Sequence, residues 1–142
     1  MGEPASANSG RRRIVIADDS PEMLAIVETR LCQHYDVVAK AEDGLQLIES
    51  VSNLRPDMLV TDISMPGISG IEVLRRLRSQ QISIPAVILT VHEDEELLEA
   101  SLSYGALGFV LKSRIDRDLL PAIQEAFKGR VFISERMRAK HI

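Results

Sequence analysis

Ile14-Val15-Ile16-Ala17-Asp18-Asp19-Ser20-Pro21 changes character twice in a short space. The unbroken apolar run reads as a strand buried on both faces, because a strand with one wet face alternates. It stops at two carboxylates. Ser20-Pro21 then opens a helix, with the hydroxyl as cap and proline in the first position, where its missing N–H is no loss. Comparable runs stand at residues 36–41, 58–61, 86–90 and 107–111, giving five candidate strands. Helical patterns fill the intervals at residues 20–34, 43–54, 69–79 and 92–104. Asp43 with Gln46, and Ser69 with Glu72, have capping-box spacing, and Glu93, Asp94, Glu95 and Glu96 form an acidic first turn that suits the helix dipole. A fifth helix presents Leu119, Leu120, Ile123 and Phe127, but Pro121 removes an amide donor and predicts a late start or a kink. Strands and helices that alternate this closely imply a parallel sheet with right-handed crossovers and helices on both faces.

The chain has 142 residues, 45% of them hydrophobic, enough for one domain with a full core and too few for two. Its one cysteine, Cys32, excludes a disulfide framework or a Cys-rich metal site. It reads as a structural thiol in a reduced, cytoplasmic setting. No apolar run approaches a membrane span and no signal region opens the chain, so no membrane partner is expected. The formal charge of −4 argues against nucleic-acid binding through the field of the domain body. Residues 1–10 read as a flexible tail, 11–129 as the domain, and 130–142 as a tail or the start of a linker. Arg11, Arg12 and Arg13 read as a solvated strand edge, and the basic stretch from Ser134 to Ile142 as solvated tail.

The unusual polar residues all stand at strand ends: Asp18 and Asp19, Asp62, Thr90 and Lys112. In open α/β sheets ligands bind outside the carboxyl ends of the strands, which places these residues together. Crowded carboxylates repel and call for a cation, and oxygen ligands without His or Cys favour Mg2+. Asp62, alone before the loop Ile63-Ser64-Met65-Pro66-Gly67, is the better nucleophile candidate, whereas Asp18 and Asp19 suit holding a metal. Ser64 can offer its backbone carbonyl to the same ion. Lys112 and the Thr90 hydroxyl suit phosphoryl oxygens, so the set predicts reversible phosphorylation of Asp62. A strand-end Asp, Thr or Lys is commonplace alone; the ordered combination is what points to a site.

Ile16-Ala17-Asp18-Asp19-Ser20, Val60-Thr61-Asp62-Ile63-Ser64-Met65-Pro66-Gly67-Ile68-Ser69-Gly70, Ile88-Leu89-Thr90 and Gly105-Ala106-Leu107-Gly108-Phe109-Val110-Leu111-Lys112 resemble a receiver domain of a two-component response regulator. The resemblance covers about residues 11–129. It implies a flavodoxin-like (βα)5 doubly wound sheet of order 2-1-3-4-5. It also implies a sensor histidine kinase as phosphoryl donor to Asp62, and Mg2+ held by Asp18, Asp19, Asp62 and the Ser64 carbonyl. The domain would not be an enzyme in the usual sense, catalysing only its own phosphorylation and dephosphorylation. Thr90 and Phe109 would form a switch that alters the surface of the fourth helix, fifth strand and fifth helix. Phe109 lacks the hydroxyl of a tyrosine, so its signal must come from packing.

Lys112-Ser113 departs from the Lys-Pro of many receivers, and with Gly129-Arg130-Val131-Phe132-Ile133-Ser134 it resembles NarL/FixJ-type regulators. Those continue into a helix-turn-helix domain, so transcriptional output and DNA contact are expected only through a domain absent from this chain, with a homodimer forming on phosphorylation. The chain itself reads as a receiver-only piece of such a regulator. The alternative is a stand-alone receiver that acts by protein–protein interaction or as a phosphorelay intermediate. Val91 is larger than the residue often found there and narrows access; His92 and Ser64 occupy positions that tune hydrolysis. A haloacid-dehalogenase-type enzyme is disfavoured because Asp62 is followed by Ile63-Ser64 without a second aspartate. A degenerate receiver is disfavoured by the intact residue set.

Overall fold

The apolar runs become strands, and a sixth strand joins them. The computed structural model describes residues 10–135. Its strands are β1 (Arg13–Ala17), β2 (Asp36–Ala41), β3 (Met58–Asp62), β4 (Ala86–Thr90), β5 (Gly108–Leu111) and β6 (Phe132–Ile133). All pair in parallel, in the order β2-β1-β3-β4-β5-β6. The flavodoxin-like order of the first five is as expected, but the five-stranded count is corrected by β6. Phe132 N–H donates to Leu107 O at 2.8 Å and Ser134 N–H to Phe109 O at 2.9 Å. Gly129, with φ +76, turns the chain back after the last helix, and the β-branched and aromatic residues that follow suit a sheet edge. Ser134, read from sequence as solvated tail, is fully buried. The flexible-tail reading of residues 1–9, and the basic tail beyond Glu135, lie outside the described residues.

The helices are α1 (Pro21–Leu31), α2 (Gly44–Leu54), α3 (Gly70–Ser79), α4 (Glu95–Ser103) and α5 (Ile115–Phe127). Ser20, Asp43, Ser69 and Asp94 accept from first-turn amides as caps. Neither expected box closes in full: Gln46 reaches the Glu42 amide at 2.9 Å, and Glu72 turns instead to Arg75 and Arg76. Two charged partners outcompete one amide for Glu72. Proline does not delay α5, which starts at Ile115 and runs through Pro121. Pro121 deprives the carbonyl of the exposed Arg117 of its helical donor, while Leu119, Ala122, Ile123 and Ala126 are buried on the other side. Packing of that stripe outweighs one missing hydrogen bond, since each large buried side chain contributes on the order of 1.5–3 kcal/mol.

Side chains alternate across the sheet into two apolar layers. Val15, Leu59, Ile88 and Phe109 pack with α2, α3 and α4, whereas Ile14, Val60, Leu89 and Val110 pack with α1 and α5. β2 is only half-buried, as an edge strand must be, so its continuous apolar run overstated its burial. The three arginines also do more than meet solvent. Arg13 donates to Asp57 and to the Leu54 carbonyl, both at 2.7 Å. The Arg12 guanidinium lies 4.2 Å from the centre of the Phe127 ring, and Arg11 donates to Cys32 O at 2.8 Å. Cys32 itself is exposed just past the end of α1.

At the start of α3, backbone approaches backbone. A Cβ on Gly70 would lie 2.3 Å from the carbonyl oxygen of Asp62. Gly70→Ala is therefore expected to destabilise the fold by roughly 1–3 kcal/mol, read as a lower urea midpoint with an unchanged slope.

Candidate functional site

The sheet delivers four of its strand ends to one edge. Ala17 pairs with Thr61, so Asp18 and Asp62 come next to each other at the ends of β1 and β3. Thr90 ends β4 opposite Leu111, and Lys112 follows directly as the first residue of a single 3₁₀ turn, Lys112–Arg114. Local hydrogen bonds then aim the side chains. Asp18 N–H continues the ladder to Ala41 O at 3.1 Å, while its Oδ1 accepts from Ser20 N–H at 2.9 Å. The other oxygen, Oδ2, points into the site.

Lys112 bridges the two aspartates. Its Nζ donates to Asp62 Oδ2 at 3.0 Å and lies 2.7 Å from Asp18 Oδ2. The buried Asp18 Oδ2 thus has the Lys112 ammonium as its counter-charge. Ser64 N–H donates weakly to Asp62 Oδ1, at 3.4 Å. Burial raises the Asp62 pKa above its ordinary value; hydrogen bonding and charge from Lys112 offset part of this, and the Asp18 charge adds to it. Burial alone would lower the Lys112 pKa, but the two carboxylates override it and hold the ammonium above its usual range.

Asp19 is exposed, yet one carboxylate oxygen from each of Asp18, Asp19 and Asp62 falls within a 4.8 Å span. Three hard carboxylate oxygens at that spacing, two of them from buried aspartates, fit a divalent cation. Thr90 is buried, and its hydroxyl accepts from His92 N–H at 3.0 Å, leaving its own proton free to donate. Phe109 is fully buried opposite Ile88, which places it on the same sheet face as Thr90 and two residues back from it. Val91 is 68% exposed beside the site, and Ser64 and His92 are exposed as well.

The residues predicted from sequence thus come to one edge. Three polar residues behind that edge went unassigned. Ser134, Asp118 and Arg114 form a hydrogen-bonded chain under the Lys112 turn. Only the i,i+4 spacing of Arg114 and Asp118 hinted at it.

Comparison with known proteins follows the same lines. The chain is 34% identical over 133 residues to the nitrate/nitrite response regulator protein NarL of Escherichia coli K12, covering 92% of this chain and 62% of NarL. The chain therefore spans less than two thirds of that relative. Among solved structures, the isolated REC domain of RcsB from Salmonella enterica serovar Typhimurium, in the presence of phosphomimetic BeF3−, superposes with a TM-score of 0.83. It is 30% identical and covers 92% of this chain and 98% of that one. A structure of two RcsB dimers bound to two parallel DNAs gives a TM-score of 0.85 at 30% identity, covering 93% of this chain and 68% of that one. Residues 14–124 match the response regulator receiver domain, and the chain belongs to that family, with relatives of the NarL/FixJ type.

Proposed function

We propose that Asp62 accepts a phosphoryl group from a sensor histidine kinase. The observation that carries this reading is the Lys112 ammonium held between the buried carboxylates of Asp18 and Asp62 at the ends of neighbouring strands. An Asp62 oxygen forms the new bond to phosphorus as the bond from phosphorus to the donor histidine nitrogen breaks. Lys112 pairs with the charge on the arriving group, and the Thr90 hydroxyl donates to one of its oxygens. Mg2+ held by Asp18, Asp19, Asp62 and the Ser64 carbonyl would neutralise the repulsion between carboxylate and phosphoryl group.

Output follows from packing. Thr90 and Phe109 share a face, so a shift of Thr90 toward a phosphoryl oxygen opens space that the Phe109 ring can enter. A phosphoryl group that contacts only one of the two arrangements biases the balance, and the surface of α4, β5 and α5 changes with it. By analogy with NarL and with RcsB on DNA, the signal serves transcription through an output domain outside this chain, in the cytoplasm, with homodimers favoured by phosphorylation. Residues 11–129 carry the receiver, and β6 and the buried Ser134 belong to its sheet as well. Self-phosphorylation and its reversal are the only chemistry assigned to the chain.

Intact-protein mass after incubation with a small phosphodonor is the direct test. A Mg2+-dependent gain of one phosphoryl mass in wild type, absent in Asp62→Asn, is the expected result; a gain retained by the variant overturns the assignment. Lys112→Ala is expected to slow the gain at least tenfold, since it removes the cation facing the phosphoryl group.

The raised Asp62 pKa has a consequence for stability. Folded Asp62 binds its proton more tightly than the unfolded residue, whose value is near 3.8. Its contribution is complete below that value and is lost as the pH rises through the folded value. At pH 7 without metal the ionised group is a cost, so Asp62→Asn is expected to raise Tm, with the gain shrinking below pH 4. A variant less stable than wild type at pH 7 would contradict this.

A further inference from the structure

We infer that Ser134 and Asp118 are positioning residues for Lys112, linking the segment after α5 to the phosphorylation site. The turn Lys112–Arg114 is gripped at both ends by one small network. Before it, Leu111 N–H donates to Ser134 Oγ at 3.0 Å. At its end, Arg114 Nε donates to Asp118 Oδ2 at 2.9 Å. The two grips share an atom, because the Ser134 hydroxyl donates to that same Asp118 Oδ2 at 2.7 Å. Leu111, Ser134, Asp118 and Arg114 thus close a ring around the backbone from which the Lys112 side chain projects.

The network is built into the core. Ser134 is wholly buried, Asp118 nearly so, and both oxygens of the path are satisfied. Each member has few alternatives, since a buried hydroxyl or carboxylate that loses its partner bears its desolvation unrewarded. Ser134 also extends the sheet: its N–H bonds Phe109 O, and its hydroxyl takes the next amide along β5, where the backbone of β6 has ended. Ser134 lies beyond residue 124, where the match to the family stops. The strand carrying Phe109 and the turn carrying Lys112 are therefore held in part by one residue, Ser134, outside that matched region.

This device bears on the metal as well as on the phosphoryl group. Lys112 Nζ lies 2.7 Å from Asp18 Oδ2 and 3.0 Å from Asp62 Oδ2, on two of the three carboxylates that would hold Mg2+. A firmly held Lys112 competes with the cation for them; a loosened one competes less. Coupling of this kind is reciprocal, so a group at Asp62 that draws Lys112 toward itself alters the hold on Ser134 and on the residues that follow it.

The inference deepens the reading of Lys112 given above, and its test separates the two. Apo chain 1–142 is compared by backbone amide NMR as wild type, Ser134→Ala, Asp118→Ala and the double variant. Ala122→Gly serves as a control that weakens α5 without touching the network. Both network variants are expected to move the Asp18 and Asp62 amide signals, and the control to leave them in place. Shifts confined to β5, β6 and α5 overturn the inference. Asp118→Ala keeps a strong helix former in α5, so a network variant remains should Ser134→Ala not fold. Titration with Mg2+ alone is the second readout. Each single variant is expected to bind it roughly fivefold more tightly than wild type, with no further gain in the double variant. Unchanged affinity, or additive gains, also overturns it. Wild type that binds no Mg2+ would remove the metal reading of the aspartate trio, while the amide shifts still decide the role of Ser134.

Discussion

Everything at the carboxyl edge of the sheet depends on one ammonium group placed between two aspartates. Asp18 and Asp62 come side by side because β1 and β3 are neighbours in register, and without Lys112 their charges would meet unscreened. The arrangement is not an economical way to stabilise a fold, since desolvating three ions costs about as much as their attraction returns. Its pKa directions say the same: the cation is held more firmly than usual, yet Asp62 is still pushed toward its neutral form by burial. The rest of the molecule, two apolar layers and six parallel strands, acts as a frame that holds those ends at hydrogen-bonding distance.

Much of that frame was legible because strands buried on both faces leave a simple mark. Ile14 to Ala17 and Ala86 to Leu89 are continuous apolar runs, and each is followed directly by a polar residue at the strand end, Asp18 and Thr90. Ser20-Pro21 and Asp43 marked helix starts correctly because capping is local chemistry. Where several partners compete, the sequence was a poorer guide. Glu72 could bond an amide or two arginines, and nothing in its spacing said that the arginines would prevail. Pro121 announced a fault in α5 that burial of the facing stripe overrides.

The pieces that escaped were long-range and polar. Ser134 lies 16 residues from Asp118 and 23 from Leu111, and no periodicity connects them. A lone serine in a polar stretch reads as surface until the backbone brings it under the sheet edge. The same holds for Arg12, whose place over the Phe127 ring follows from how β1 and α5 meet at the far end of the sheet. The site was readable because its members stand at the ends of recognisable elements; its support was not, because only the assembled fold makes those residues neighbours.

The two-residue β6 has a consequence for how these molecules behave in a crowd. An unpaired β5, apolar throughout, would offer its row of amides and carbonyls to the strand of any other chain that met it. By lying along it, Phe132 and Ile133 withdraw that invitation, and β6 is itself too short to template a neighbour. At the opposite margin β2 carries Asp36 and the exposed Lys40, charges that discourage strand-to-strand stacking. Both borders of the sheet are thereby guarded against self-assembly into extended fibres.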